Sequence, residues 1–341
     1  MKKQIKIWQL IADSLQQKIP VVLLYVLESK GSSPGRQGFF MTVTANGEME
    51  GSIGGGIMEH KFVEMAKDRL QNKKRNTENR EQDTRNMQQE DGNSSGKIKK
   101  QVHDKSAAKD QSGMICSGEQ TIFIYEVKEK ELDEIERLIA SLEQNRNGKL
   151  QLSPSGIKFY DEPPQTNFHF QFESEESWLF EEKTGYKNQL CIIGGGHCAL
   201  ALSNLMAQMD FYIRVYDERK NLKTMQENSS AHEKHLLENY EQLQELIAEG
   251  ENNYVVIMTF GYRTDDIALQ ALAEKKFAYL GLLGSLSKIE KMFAGYRAEG
   301  INENWLNSIY APIGLQIKSE TPEEIAVSIA AQIISIKNTK R

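Results

Sequence analysis

Short apolar runs alternate with helix-like segments through the second half of the chain, and this alternation constrains the fold more than any other feature. The runs are "LCII", "FYIRVY", "YVVIMTF" and "FAYLGLLG", between residues 190 and 284. Strands that are each followed by a helical pattern are typical of parallel sheets with crossover helices. The sequence therefore predicts a C-terminal Rossmann-type domain, a doubly wound parallel sheet.

The first of these strands runs into a glycine-rich turn. Gly194, Gly195, Gly196, His197 and Ala199 lie in a segment that fits the dinucleotide-binding pattern G-x-G-x-x-A. The first glycine permits the tight turn, the third lets the backbone approach a pyrophosphate, and the alanine lets helix and sheet pack closely. The helix that begins here supplies N–H donors for phosphates, and His197 opens it beside the turn.

Two further positions at this end of the predicted sheet complete a candidate nucleotide site. Asp217 follows the second strand, 21 residues beyond Gly196, where an acidic ribose ligand is expected. Arg219 is close enough to Asp217 in the sequence to leave the choice between NAD and NADP open. Ser285 and Lys288 in "GSLSK" open a helix after the fourth strand and are candidates for holding an anion. We therefore expect NAD(P) or another nucleotide in this domain.

A second glycine triplet, Gly54, Gly55 and Gly56 in "GSIGGGIMEH", joins a hairpin strand to a helix. Glu59 stands where the dinucleotide pattern needs a small residue, so a second dinucleotide domain is not expected. A backbone anion site and a purely structural turn both remain open. Arg36, in a Gly/Ser/Pro loop, is either a phosphate clamp or a solvated loop arginine.

The first half of the chain predicts a mixed α+β domain. With 341 residues the chain exceeds what one core usually organises, so we expect domains at 1–187 and 188–341. Apolar residues almost disappear after Gln71, and a solvated insertion is predicted at about 71–97. The other predicted elements are strands at 21–28, 39–44, 48–53 and 120–127, a helix face at 132–142 and short strands within 150–181.

Composition excludes several classes of protein. The formal net charge of −6 and isoelectric point near 5.7 give no basic footprint for nucleic acid. Three scattered cysteines argue against a disulfide framework and for a reducing, cytoplasmic location. The absence of an apolar run of 18 residues argues against membrane insertion. Cys116 follows Gly113 and precedes Gly118, and its thiolate would suit a soft metal or sulfur transfer, although a small buried residue at a bend is the alternative.

Several blocks together resemble the XdhC/CoxI-type family of xanthine dehydrogenase accessory proteins. They are "GSSPGRQGFFMTVTANGEMEGSIGGGIMEH", "GMICSGEQ", "IIGGGHCALAL" with "VYDER", "YLGLLGSLSKIEKM" and "APIGLQIKSETPEEIAVSIAAQII". The resemblance implies a cytoplasmic two-domain protein that binds the molybdenum cofactor, protects its sulfurated form and delivers it to a molybdenum hydroxylase. It also implies a sulfur-donating cysteine desulfurase as a partner and a homodimer. Such a protein is a cofactor-binding chaperone more than a catalyst.

The family pattern is not matched everywhere. Ile57 replaces a cysteine that many members carry after the first triplet, and Phe260 replaces a histidine after the third Rossmann strand. By the resemblance, Arg36, Gly54–Gly56 and Cys116 are expected to line one cofactor pocket, with Cys116 as the metal ligand. The rival hypothesis is an NAD(P)-dependent oxidoreductase of unassigned substrate. It is disfavoured because no clear acid–base pair for hydride chemistry follows the Rossmann turn.

Overall fold

The computed structural model describes residues 1–80, 96–102, 118–273 and 275–339. The chain folds into two compact units, Met1–Gly185 and Tyr186–Arg341, each of which is described by itself. Within the described residues, no helix is both long enough and apolar enough to cross a membrane.

The first unit is built on a five-stranded antiparallel sheet in the order β3-β2-β1-β5-β4. Its central strand β1 is buried along Val21–Leu27 because both faces are covered. Val22, Leu24 and Val26 face helix α2 (Gly56–Arg80). Tyr25 lies on the opposite face of the sheet, where it stacks on Phe40 of the neighbouring strand. The strands are β1 (Val21–Gly31), β2 (Phe40–Thr44), β3 (Met49–Gly51), β4 (Lys97–Val102) and β5 (Gly118–Glu126), and the helices are α1 (Lys2–Gln16), α2 (Gly56–Arg80) and α3 (Leu132–Glu143).

A second, four-stranded antiparallel sheet completes the first unit, in the order β7-β6-β9-β8. Its strands are β6 (Lys149–Ser153), β7 (Gly156–Tyr160), β8 (Phe168–Ser174) and β9 (Ser177–Lys183). The hydroxyl of Tyr25 on β1 donates to buried Glu182 on β9, and Phe180 packs edge-on against Tyr25. These contacts hold the two sheets of the unit together.

The second unit contains a parallel five-stranded sheet in the order β12-β11-β10-β13-β14, which confirms the predicted fold class. Alternate residues of β10 enter two separate apolar cores, Leu190 and Ile192 on one face and Cys191 and Ile193 on the other. The strands are β10 (Asn188–Ile193), β11 (Phe211–Asp217), β12 (Glu233–Leu236), β13 (Gly250–Ile257) and β14 (Phe277–Leu282).

The helices of the second unit cover both faces of this sheet. They are α4 (His197–Ala207), α5 (Lys223–Glu227), α6 (Leu243–Leu246), α7 (Tyr262–Gln270), α8 (Leu286–Ala298), α9 (Glu303–Ser308) and α10 (Pro322–Thr339). Ala326, Ile329 and Ile333 of α10 share a core with Ala199 and Met206 of α4. The C-terminal helix therefore closes one face of the unit.

Several segments differ from the sequence-based expectation, among them β4 and α9, which were not expected as elements. The Glu- and Gln-rich stretch after β11 has the composition of a helix, but it holds the edge strand β12 between the short helices α5 and α6. Pairing with β11 outweighs the helical composition there. The helix α1 is an addition to the expected elements, with Ile7, Trp8, Ile11 and Leu15 buried at helical spacing. Helix α2 continues to Arg80, and residues 81–95 of the predicted insertion lie outside the described residues.

Candidate functional site

The carboxyl ends of β10 and β13 form the switch point of the parallel sheet. From β10 the chain proceeds to β11 on one side, and β13 then pairs with the opposite side of β10. In doubly wound sheets, ligands bind in the crevice outside the strand ends at this point. The turn Gly194–Gly196 follows β10, and Thr259 and Phe260 follow β13. The topology thus brings these two segments to the same edge of the sheet.

The glycines of this turn have separate structural roles. Gly194 has φ +105°, donates its N–H to the Tyr216 carbonyl at 2.7 Å, and has no room for a side chain against the Met258 carbonyl. At Gly196, by contrast, a Cβ would meet nothing within 4 Å. Helix α4 begins here without a side-chain cap, and His197 is exposed. The first glycine therefore serves close strand packing, and the third leaves open space beside a helix N-terminus.

Asp217 is fully buried at the end of β11, and its carboxylate accepts four hydrogen bonds. Oδ2 accepts from the Gly195 N–H at 2.6 Å and from Arg219 Nη2 at 2.7 Å. Oδ1 accepts from the Arg219 N–H at 2.8 Å and from Arg219 Nε at 2.9 Å. Burial alone would raise the pKa of Asp217, but the hydrogen bonds from Arg219 and Gly195 lower it overall. A carboxylate has about four lone-pair sites for accepting hydrogen bonds. These four donors therefore fill the sites of Asp217 that a ribose hydroxyl would need.

Arg219 is held between this carboxylate and an exposed aromatic ring. Its guanidinium carbon lies 4.9 Å from the centroid of Phe260. The Arg219 side chain is 34% exposed and Phe260 is 59% exposed. The ion pair with Asp217 raises the pKa of Arg219 still further. A fixed cation therefore lies at the carboxyl edge of the sheet, beside the switch point.

A second buried carboxylate connects the strand ends of β13 and β14. Asp265, fully buried, accepts from the Thr259 N–H at 3.0 Å and from Thr259 Oγ1 at 2.6 Å. Lys288 donates its Nζ to the other oxygen of Asp265 and, at 3.3 Å, to the Leu283 carbonyl. Ser285 accepts from the Lys288 N–H at 3.3 Å and so caps α8. Ser285 and Lys288 therefore lie where predicted, but both have structural partners.

Sequence reasoning missed Thr259 and Asp265. The signal available was "MTFGYRTDD", a strand end followed by a glycine and a Thr-Asp pair in the first helical turn. An acidic residue at that position accepts hydrogen bonds from the preceding loop. The two residues fix the loop that carries Phe260.

The two described cysteines are poor nucleophiles. Burial raises the pKa of the Cys191 thiol to about 11. Burial, and secondly the charge of Glu323, raises the pKa of the Cys198 thiol. Both are free thiols in or beside an apolar core. Cys116 lies outside the described residues. Among the residues that the structure describes, no group of three His, Cys, Asp or Glu side chains could hold a metal ion.

In the first unit, the glycine triplet is closed by a carboxylate of its own helix. Gly54, Gly55 and Gly56 all have positive φ, at 127°, 75° and 68°. Oε2 of Glu59 accepts from the Ile53 N–H at 2.9 Å and from the Gly55 N–H at 3.0 Å. The Ser52 hydroxyl donates to the same oxygen at 2.6 Å and accepts from the Gly54 N–H at 3.1 Å. Of the N–H groups that an anion would use, those of Ile53 and Gly55 are thus bound to Glu59, and that of Gly54 is bound to Ser52.

The loop that carries Arg36 packs directly on this turn. Gln120, buried on β5, donates to the carbonyls of Gly35 at 2.9 Å and Ile53 at 3.2 Å. A Cβ on Gly54 would collide with the backbone of Gly35. Arg36 is exposed and donates Nη1 to the Gly31 carbonyl at 3.0 Å. Arg36 and the triplet therefore belong to one cluster, whereas the predicted third member, Cys116, is not described.

Positions around the triplet differ in how open they are. A Cβ on Gly55 would meet nothing within 4 Å, although its φ disfavours any side chain. Ile57, which stands where many family members have cysteine, is 69% exposed. The outer surface of the turn, at the Cα of Gly55 and at Ile57, is therefore accessible. Its inner N–H groups, those of Ile53 and Gly55, are bound to Glu59.

Two family descriptions match the chain on either side of its centre. Residues 190–333 match the XdhC Rossmann domain, and residues 14–79 match the XdhC and CoxI family. The first match spans the switch-point turn, Asp217 and Lys288, and the second spans Arg36 and the first triplet.

Two curated relatives and one solved structure are similar to the chain. It is 26% identical over 326 residues to an uncharacterized protein of Escherichia coli (strain K12), YqeB, covering 95% of this chain and 44% of that protein. It is 27% identical over 180 residues to a probable xanthine dehydrogenase subunit of Bacillus subtilis (strain 168), covering 50% of each. The chain thus spans about half the length of the curated relatives it matches.

The solved structure, from Bacillus halodurans and described as a xanthine dehydrogenase, shares the fold at TM-score 0.67 and 21% identity. It covers 98% of this chain and 96% of that one. The two family matches contain both glycine turns, in the order found here, and the chain is a member of the XdhC and CoxI family.

Proposed function

We propose that this chain is an accessory protein for a molybdenum hydroxylase such as xanthine dehydrogenase, and that it binds the molybdenum cofactor and assists its sulfuration, protection or insertion. The observation that carries the proposal is that the two family matches contain both glycine turns and the Arg36 loop. A relative named as a probable xanthine dehydrogenase subunit supports the choice of client.

The first unit offers groups that suit the phosphate of a pterin cofactor. Arg36 presents an exposed guanidinium from the loop that packs on the triplet, and Gly55 faces open space. An anion that approached the inner N–H groups would have to displace Glu59. We therefore assign the phosphate to Arg36 and the N–H of Gly56, with the open space at Gly55 leaving room for it, and we propose Cys116 as the soft ligand. When bound, the cofactor supplies the molybdenum centre.

Retention of molybdenum tests the proposal. The full chain, purified from a host that makes molybdenum cofactor, should retain molybdenum and phosphorus together, measured by elemental analysis and native mass spectrometry. Arg36→Ala, Gly55→Val and Cys116→Ser should each lose that retention. Arg137→Ala is the matched control, because Arg137 is a surface residue of the same unit paired with Glu134 and Asp161. Wild-type protein that carries no molybdenum above a mock purification would refute cofactor binding.

The partners follow from the same role. We propose a molybdenum hydroxylase as client, a cysteine desulfurase as sulfur donor and a homodimer as the assembly. Co-purification with each tagged partner and light scattering of the chain alone test these in turn. A monomeric mass across a wide concentration range would refute the dimer.

The second unit is proposed to bind a nucleotide, supported by the open space at Gly196 and the uncapped start of α4 at the switch point. An NAD(P)-dependent oxidoreductase is the alternative that this feature favours. Sequence reasoning passed over Tyr216 and Lys220, which have the spacing of a catalytic Tyr-x-x-x-Lys pair. Tyr216, however, is 1% exposed and stacks on His235, and burial raises its pKa well above the ordinary value. Oxidation of added NADH or NADPH with a carbonyl or quinone acceptor would favour the alternative.

A further inference from the structure

The position after β11 usually decides which adenosine ribose a Rossmann-type domain accepts. A free carboxylate there accepts from the 2′-hydroxyl of NAD, whereas an arginine nearby accommodates the 2′-phosphate of NADP. In this chain the carboxylate of Asp217 is buried and already accepts four hydrogen bonds, two of them from the side chain of Arg219. Asp217 therefore serves as an anchor for Arg219 instead of a ligand for ribose.

The same contacts fix the guanidinium of Arg219. The edge formed by Nε and Nη2 is bound to Asp217, and one face lies on the ring of Phe260. The side chain is 34% exposed, and a guanidinium carries N–H donors beyond those that this bidentate edge uses. Because its rotamer is set before any ligand arrives, little conformational entropy remains to be lost on binding.

The surrounding charges favour an anion here, although two acidic residues oppose it. Lys220 and Lys223, both exposed, follow Arg219, and Lys223 is only loosely paired with the first of these acids, Glu227, at 3.6 Å. The second is Glu218, which lies close enough to act on Arg219. The residues after Asp217 thus present an excess of cations beside the open turn at Gly196.

We infer that the second unit takes an adenine nucleotide with a phosphate on the 2′ position of its ribose, of the NADP(H) class, and that Arg219 binds that phosphate. Phe260 holds the guanidinium in place, which gives a role to the aromatic residue that stands where family members carry histidine. The inference rests on the nucleotide binding proposed above and adds a preference for nucleotides with a 2′-phosphate.

Calorimetry on the full chain tests it with adenosine 2′,5′-bisphosphate and 5′-AMP, which differ only by the 2′-phosphate. A bidentate charge-assisted contact predicts that the bisphosphate binds about 10- to 100-fold more tightly. NADP+ should likewise bind more tightly than NAD+. Equal affinities, tighter binding of 5′-AMP, or no binding of the bisphosphate at millimolar concentration would each overturn the inference.

Two variants separate the fork of Arg219 from its charge. Arg219→Lys keeps the cation but loses the fork, so the preference for the bisphosphate should fall about tenfold while 5′-AMP binding is unchanged. Phe260→Ala leaves the Asp217 ion pair intact and should lower the preference several-fold, which covers the case that the lysine variant does not fold. Arg297→Ala, which removes an exposed pair with Glu303, is the matched control and should change nothing. A preference that survives in both test variants would contradict the assignment.

Failure of this test can be told apart from failure of the proposed function. Molybdenum retention is measured through Arg36, Gly55 and Cys116, which all belong to the first unit. A chain that retains molybdenum but does not distinguish the two nucleotides refutes the specificity of Arg219 alone.

Discussion

At the scale of single residues, the first glycine triplet is stabilised by Glu59, whose carboxylate takes the place an anion would occupy. Three groups donate to its Oε2, namely the N–H groups of Ile53 and Gly55 and the hydroxyl of Ser52. The turn is therefore self-capped, in the manner of a helix whose first-turn acid reaches back to the preceding backbone. This favours a structural role for its inner N–H groups.

Replacing Glu59 by alanine should lower the free energy of unfolding by about 1 to 2 kcal/mol, because two N–H groups of the turn lose their acceptor. Urea denaturation followed by circular dichroism measures the change. Glu64→Ala is the matched control, since Glu64 is exposed on the same helix and its i,i+3 pair with Lys67 is screened by solvent. Equal midpoints for the two variants would show that the contacts of Glu59 contribute nothing.

Asp217 should make the second unit sensitive to acid. Its pKa in the folded protein is lowered, so the ionised carboxylate contributes stability above the unfolded value of about 4, and this contribution is lost as the pH falls through the folded value. Asp217→Asn should cost about 2 kcal/mol at neutral pH and flatten the acid limb of stability against pH. Denaturant midpoints between pH 7 and pH 3 measure both effects, and a variant with the wild-type acid limb would contradict the linkage.

The position of the candidate site in the second unit could largely be predicted from the sequence, but its hydrogen bonds could not. The spacing of Gly194, Gly196 and Asp217 gave their places at the edge of the sheet. Which partner satisfies Asp217 depends on the rotamer of Arg219, and the guanidinium also lies over Phe260, which reaches this edge only through tertiary structure. Likewise, nothing in the spacing of Glu59 distinguishes a capping acid from a solvated one.

At the scale of elements, strands with continuous apolar runs were predictable and the edge strand was not. The central strand β10 is buried on both faces along residues 190–193, so that part of its sequence has to be apolar. The edge strand β12, by contrast, is four residues long, and Leu236 in it is exposed. A short edge strand needs little apolar character because only one neighbour and part of one face constrain it.

Ser285, expected from the sequence as a candidate anion ligand, is the N-cap of helix α8 in the structure. Its hydroxyl accepts from the Lys288 N–H at the start of α8. Ser285→Ala should therefore lower the free energy of unfolding by about 1 kcal/mol. The control is Ser287→Ala, an exposed position in the first turn of the same helix. Thermal denaturation measures the difference, and a stability loss at Ser287 as large as that at Ser285 would show that capping is not its cause.

At the scale of the whole molecule, each unit has its own apolar core. In the second unit, one core joins β10 to α4 and α10, and the other lies on the opposite face with α7 and α8. In the first unit, β1 and α2 share a core that includes Phe62. The residues of each of these three cores come from within one unit, which is the organisation of domains that fold separately.

A fragment of residues 186–341 should therefore fold by itself. Its parallel sheet is covered on both faces by its own helices, and α10 completes the core against α4 through Ile329 and Ile333. We expect a cooperative thermal transition and a helix–strand circular dichroism spectrum, as for other single domains of this size. Ile329→Asp in the same fragment is the comparison, because a buried charge in that core should abolish the transition. A fragment that binds the dye ANS and melts without cooperativity would show that the second unit depends on the first to complete its core.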